Sequence, residues 1–432
     1  MKNILNHLRH TPVPGRLSSR IACGVVMAIS LASPSHIIAQ NISETPSPER
    51  ISDVLDIISR NNPSLKVISA ENEAEILALK ASNIPGKTSV EYSPFFQSGY
   101  HGLASSELIV RQSIDFPTLY STRNKMADAQ RSVLEGKLNV EARQIRIEAI
   151  KACIDYIGLK KQNEILQRRI AVTDTIADLY QRKFNRGSAT LLETNRISLS
   201  LQDLKRELLQ NSIAASEAEA TLLNLNGGNS IDISRLDYDP SLLANTLFDS
   251  IAVPNSSVTA NPLSDDAASY IAARPEIKAA QAAIQYSDRE IDMARSSWLP
   301  EISLGYRRNT DGRESLNGFL VGLDFSLFSG SKESKAARAR KAAAMMLRET
   351  ETVRVETEIA TTLRRLKVLR EAIDATDTSL IEETLSLYNR SLELGQITLP
   401  EYYQETDLLF NRLSERAALI NSYYNLASSL SL

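Results

Sequence analysis

Cysteine, histidine, glycine, proline and aromatic residues are all scarce in this chain of 432 residues. It has two cysteines, four histidines, 16 glycines, 15 prolines and 6% aromatics. Few and clustered Gly and Pro exclude a turn-rich all-β protein and favour long uninterrupted elements. No run of about twenty apolar residues occurs, so the sequence holds no transmembrane-helix candidate. No Gly-rich phosphate loop is present, and the sole candidate for a catalytic histidine beyond the N-terminal stretch, His101, falls in a predicted surface turn. An enzyme is therefore not expected, nor a cofactor.

The first forty residues lack acid altogether. Lys2, Arg9, Arg16 and Arg20 lead into the apolar stretch Ile21–Ala32. This reads as an export signal, cut after Ala39 or Gln40, with a short buried helix as the alternative. Cys23 lies inside the apolar stretch and not just after it, which argues against a lipoprotein cut. Loss of these four positive charges takes the net charge from −3 to −7. Nothing basic then remains to suggest a nucleic-acid partner. Cys153 and His101 would be the last of their kinds, so an internal disulfide and a Cys/His metal cluster are excluded within one chain. Met345 and Met346 are adjacent and point different ways, which does not suit metal handling.

What is present is a duplication. "NNPSLKVISAENEAE" from Asn61 is similar to "ARPEIKAAQAAIQYS" from Ala273, and "LIVRQSIDFPTLYS" from Leu108 to "FLVGLDFSLFSGSK" from Phe319. "YQRKFNRGSATLLE" from Tyr180 returns as "YNRSLELGQITLPE" from Tyr388. Order and spacing are kept, with offsets of 212, 211 and 208 residues. The expected organisation is a signal over 1–40, a first repeat over 41–226, a linker over 227–265 and a second repeat over 266–432. The linker carries "NGGNS" and three prolines.

Alternation of period two predicts strands at about 88–98, 105–116, 300–309 and 317–327. Ile109 and Leu320 interrupt the polar parity. Helical hairpins are expected over 119–226 and 331–430, the first long helix reaching Arg186 and the stretch 332–394 running on without breakers. Val172, Ile176 and Leu179 step by four and three, as do Leu380, Thr384 and Leu387, which predicts a coiled-coil seam with each returning helix. Gly187 and Gly395 mark the end of each long helix. Thr190–Glu193 and Thr398–Glu401 then spell capping boxes, with Pro400 in a first turn where its missing N–H does no harm.

Two hairpins give four strands of membrane-crossing length, apolar on one face. Four strands cannot close a barrel, and open edges are not tolerated in lipid. Two chains would give eight strands and a filled interior; three would give twelve and a bore. On the polar parity Glu107, Arg111, Asp115, Glu301, Arg307 and Asp324 would face that bore. Trp298 and Tyr306 flank the third strand as interface anchors or as ordinary packing.

With "LPEISLGY", "FLVGLDFSLFSG" and the paired "Y-x6-G-x2-T-L" tips, the chain resembles the TolC-type outer-membrane efflux factors over about 48–432. Each motif is degenerate; the specificity lies in their order and duplication. The resemblance implies a mainly α fold with a transmembrane β-barrel: a homotrimer with a twelve-stranded β-barrel continuous with a periplasmic α-helical barrel. It implies an outer-membrane location in a Gram-negative bacterium. It also implies partnership with a periplasmic adaptor and an inner-membrane pump of RND or ABC type. Gly187, Ser188, Thr190, Gly395, Gln396 and Thr398 would then sit at the adaptor-facing tip. Glu193, Glu401, Gln404 and Glu405 become aperture candidates, opened by an iris-like untwisting of the hairpins. The linker would join an equatorial collar, and the end at Leu432 would leave out a C-terminal extension of that collar. The implied role is passive conduction of small molecules or metal ions to the exterior. A protein-secretion duct of the same fold is the first alternative. A soluble periplasmic coiled-coil adaptor is the second.

Overall fold

The computed structural model describes residues 48–99, 102–238, 265–311, 314–325 and 329–430. The expected signal, His101, most of the linker and the last residues expected of the fourth strand lie outside these.

Repeat one runs α1 (Ile51–Asn61), α2 (Pro63–Ala81), β1 (Thr88–Phe95), β2 (Ser105–Ile114), α3 (Pro117–Asn185), α4 (Leu191–Leu225). Repeat two runs α5 (Asp265–Ala273), α6 (Pro275–Ser296), β3 (Glu301–Asp311), β4 (Glu314–Asp324), α7 (Ser329–Asp374), α8 (Thr378–Glu393), α9 (Leu399–Ser428). Three helices begin on a proline, Pro63, Pro117 and Pro275, where the ring presets φ and no hydrogen bond is lost. With 69 residues, α3 is about 100 Å long.

The second long helix is not continuous, which corrects the expectation over 332–394. It stops at Asp374 and restarts at Thr378. Asp377 is the restart signal: its Oδ1 accepts from the amides of Ser379 (2.9 Å) and Leu380 (3.2 Å). An Asp that bonds amides ahead of it competes with helix and favours a cap.

The repeats lie side by side. Near the sheet α3 packs on α2 and α6, and α6 on α7; toward the tips α3 packs on α4 and α9, and α9 on α8. Thus α2 and α4 form one lateral edge and α7 and α8 the other. Gly136 permits the α3–α6 contact, because a Cβ there would lie 2.9 Å from the Ala279 Cα.

One core gathers Val54, Ile58, Ile150, Ile154, Ile157 and Leu222, where α1 closes onto α3 and α4. Its counterpart gathers Tyr270, Ile271, Ile277, Val355, Ile359 and Ala427. At equivalent places the residue before a helix-opening proline binds the end of the returning helix. Asn62 donates to the Leu225 carbonyl at 2.9 Å. Fully buried Arg274 reaches the Ser429 carbonyl at 3.5 Å and Glu358 at 2.8 Å. Arg143 adds a 2.7 Å bond to Ser429. These donors serve helix-end carbonyls that have no partner in their own helix.

Candidate functional site

Two regions carry chemistry: the sheet and the hairpin tips. The sheet is antiparallel in the order β1-β2-β3-β4. Register aligns Val90, Val110, Tyr306 and Phe319 in one row, and Thr88, Gln112, Leu304 and Val321 in the next row of the same face. Ile302 and Leu323 extend that face toward the helices. It is open to the surroundings: Phe319 is 90% exposed and Val321 75%. Burying such a side chain is worth about 1.5–3 kcal/mol. A whole face of them left in water is therefore a face built for another medium.

The opposite face carries Glu91, Glu107, Ile109, Arg111, Glu301, Ser303, Gly305, Arg307, Leu320, Gly322 and Asp324. Arg307 forms an ion pair with Glu107 across β2 and β3. Glu301 and Asp324 are directly opposite each other at the helix end, like charges that favour solvent. Asp115 lies past the end of β2 and pairs with Arg123 of α3, so it belongs to the strand-to-helix junction. Trp298, also exposed, precedes β3 at the same end. Tyr306 stacks edge-on to Phe319 at 6.4 Å and donates its hydroxyl to Asn317 at 2.7 Å.

The tips follow from left-handed glycine. Gly187 has φ +73° and Gly395 φ +71°. The amides of Ser188 and Gln396 each donate to a carbonyl five residues back, Lys183 and Ser391, at 2.9 Å. The two glycine amides donate to Phe184 and Leu392, completing the same terminating motif twice. Both capping boxes form. Glu193 Oε2 accepts from the Thr190 amide at 2.7 Å, and Glu401 Oε2 from the Thr398 amide at 2.8 Å. These backbone bonds, then the bonds from the threonine hydroxyls, hold both carboxyls below their usual range. Gln404 is exposed and Glu405 half-buried, one residue apart on α9.

Behind the tips one apolar cluster, Ile176, Tyr180, Ile197, Leu392, Leu399, Tyr402 and Tyr403, joins the two hairpins. The α8–α9 seam is made by Ile381, Leu385, Leu409, Phe410 and Leu413. This corrects the expected seam: Leu380 and Leu387 face outward, 61% and 58% exposed. The helix break resets which residues face α9.

Sequence patterning missed a polar ladder between α3 and α9. Asp155 accepts from Asn421, Gln162 donates to Ser414 at 3.0 Å, and Arg169 pairs with Asp407. Steps of seven along α3 match steps of seven back along α9, a heptad spacing that could have been read had polar residues been scanned as well as apolar ones. Arg168 also clasps Glu382 of α8 with both guanidinium nitrogens.

Residues 268–430 match the family model "Outer membrane efflux protein". The match covers the second repeat, less than half of the chain. The whole described fold extends the likeness to repeat one. CusC, in a study of folding and transmembrane channel formation, superposes with a TM-score of 0.68 at 15% identity, covering 88% of this chain and 90% of its own. VceC of Vibrio cholerae, an outer membrane protein, gives 0.66 at 15%, covering 88% and 94%. The CmeC outer membrane channel of Campylobacter jejuni gives 0.66 at 14%, covering 88% and 84%. No curated protein sequence matches the chain. In this fold the described residues hold four strands and two helical hairpins, with β4 starting at Glu314, three residues before the expected 317. The family is one of transport channels and not of enzymes.

Proposed function

We propose that three copies of this chain form an outer-membrane efflux duct. Each contributes four strands to a twelve-stranded barrel and two hairpins to a periplasmic helical barrel. The observation that carries this is the sheet: among the described residues both outer edges, β1 and β4, lack a partner strand, and one face is apolar and open. Strands of eight to eleven residues, tilted about 40°, span the roughly 25 Å apolar band of an outer-membrane barrel. Lipid covers the Phe319–Val321 face, and neighbouring chains satisfy the edges. CusC is described with a transmembrane channel and CmeC as an outer membrane channel, and the same role suits this chain.

Conduction is passive: a wet bore lined by Glu107, Arg111, Glu301, Arg307 and Asp324 guides ions and small solutes by field and width alone. The tips meet a periplasmic adaptor, itself joined to an RND- or ABC-type pump that supplies the energy. Glu193 and Glu401, with one carboxylate oxygen committed to capping, retain charge at the aperture, beside Gln404 and Glu405. The test is fractionation with detergent-gel electrophoresis. Recovery in the outer-membrane fraction as a heat-modifiable trimer is expected. Recovery as a soluble monomer would favour a periplasmic adaptor and overturn the duct.

A further inference from the structure

The two faces of the sheet share their charges very unevenly. Every acidic residue of the described strands, Glu91, Glu107, Glu301, Asp311, Glu314 and Asp324, lies on the polar parity. So do Arg111 and Arg307. Among the described strand residues the apolar face carries one charge, Arg308, in a row with Tyr92, Leu108 and Asn317. Arg307, one residue back, pairs with Glu107 on the other face. Arg308 is exposed, and among the described residues its side chain has no ion-pair or hydrogen-bond partner. A lone cation on a face without acid has no counter-ion inside the chain.

Its height on the sheet matters as much. The helices α2, α3, α6 and α7 all join the sheet at one end, so the Arg308 row stands near the other, where β3 turns into β4. Phe325, exposed on the same parity just past β4, is eight residues from Asn317. That distance is about 27 Å along a strand and, at a tilt of about 40°, about 21 Å along the membrane normal. It nearly fills an apolar band of about 25 Å. Arg308 therefore sits at the outward rim of the band, where the cost of a charge on the lipid face falls away.

The groups around it are donors. Tyr306 donates its hydroxyl to Asn317 Oδ1 at 2.7 Å, so the nitrogen of that amide remains a donor. The next row outward is made of hydroxyls, Ser106, Thr310 and Ser315. A guanidinium has five N–H donors, no acceptor, and a planar fork that fits phosphate. Immediately inward stand Tyr306, Phe319 and Val321, apolar and exposed. Cation and donors above, bare hydrocarbon below: this is the complement of an amphiphile with a phosphate head and acyl tails.

We propose that Arg308, with Asn317 and the hydroxyls of Ser106, Thr310 and Ser315, binds the phosphate of a lipid in the outward-facing leaflet, whose acyl chains lie along Tyr306, Phe319 and Val321. This rests on the duct reading, which puts that face in lipid. Free phosphate shares the head-group chemistry but gains nothing from the apolar rows, so the occupant is the lipid.

The test is native mass spectrometry of the full-chain particle, purified in detergent and stripped of co-purified lipid. The probe is bisphosphorylated lipid A, compared with its dephosphorylated form and with inorganic phosphate. Lipid A should be retained at one per chain, about tenfold more tightly than the dephosphorylated form, and excess inorganic phosphate should not displace it. Arg308→Gln should bind it about tenfold more weakly. Arg308→Lys, which keeps the charge and loses the fork, should be several-fold weaker with assembly intact. It locates the site even if Arg308→Gln assembles poorly. Arg364→Gln, at an exposed site on α7, should match the parent. Equal retention of the two lipid forms, displacement by inorganic phosphate, or parent-like binding by the Arg308 variants would overturn the lipid site and leave the duct standing. A parent chain recovered as a single soluble copy would remove the duct, and the lipid face with it.

Discussion

Thr190 and Thr398 close the same turn 208 residues apart, each accepting from a glutamate amide and donating to that glutamate's carboxylate. Thr398→Ala should cost about 1 kcal/mol of local stability, read as faster hydrogen exchange in the first turn of α9. Because the Glu193 and Glu401 carboxyls are held below their ordinary range by those bonds, their contribution is present above the unfolded-state value of about 4. It is lost as pH falls through the depressed folded-state value. Tip protection should therefore be flat around neutrality and fall only in acid. Glu193→Gln with Glu401→Gln should remove that acid dependence. At the other end of the helices, Arg274 is fully enclosed against Glu358 and the Ser429 carbonyl. Arg274→Ala empties an enclosed site and strips half-buried Glu358 of the nearer of its two cations, Arg354 remaining at 3.5 Å, and should cost about 1–3 kcal/mol, seen as a lower thermal midpoint in detergent.

Among the elements, α7 and α8 show what sequence patterning could and could not reach. The glycine stops, the capping boxes and the strand alternation are local chemistry, spelled within a few residues, and the structure forms each of them. The break at 375–377 is also local, but its spelling is a single Asp followed by Thr and Ser, without glycine or proline, and it hides inside a helix-favouring stretch. Once the helix restarts there, Ile381 and Leu385 face α9 and Leu380 does not. Asp377→Ala removes the one oxygen that accepts from two amides and should fray the first turn of α8, measured as exchange at Ser379 and Leu380, while α3, which has no such break, stays protected. The ladder of Asp155, Gln162 and Arg169 is legible as a spacing but not as a contact, for a different reason. Its meaning depends on which helix lies opposite, and that is set by the packing of one repeat on the other.

For the whole molecule, the two faces of the sheet should answer to different media. Val321→Arg places a charge on the face assigned to lipid and should cost about 2–4 kcal/mol near the midplane, read as loss of trimer from the outer membrane. Arg307→Gln, on the other face, breaks the pair with Glu107. It should leave assembly intact while shifting cation-over-anion selectivity toward cations. The most direct check is native mass spectrometry of the protein extracted from outer membranes in detergent. The account predicts three copies per particle, collapsing to one on heating. A stable single copy that needs no detergent would contradict it.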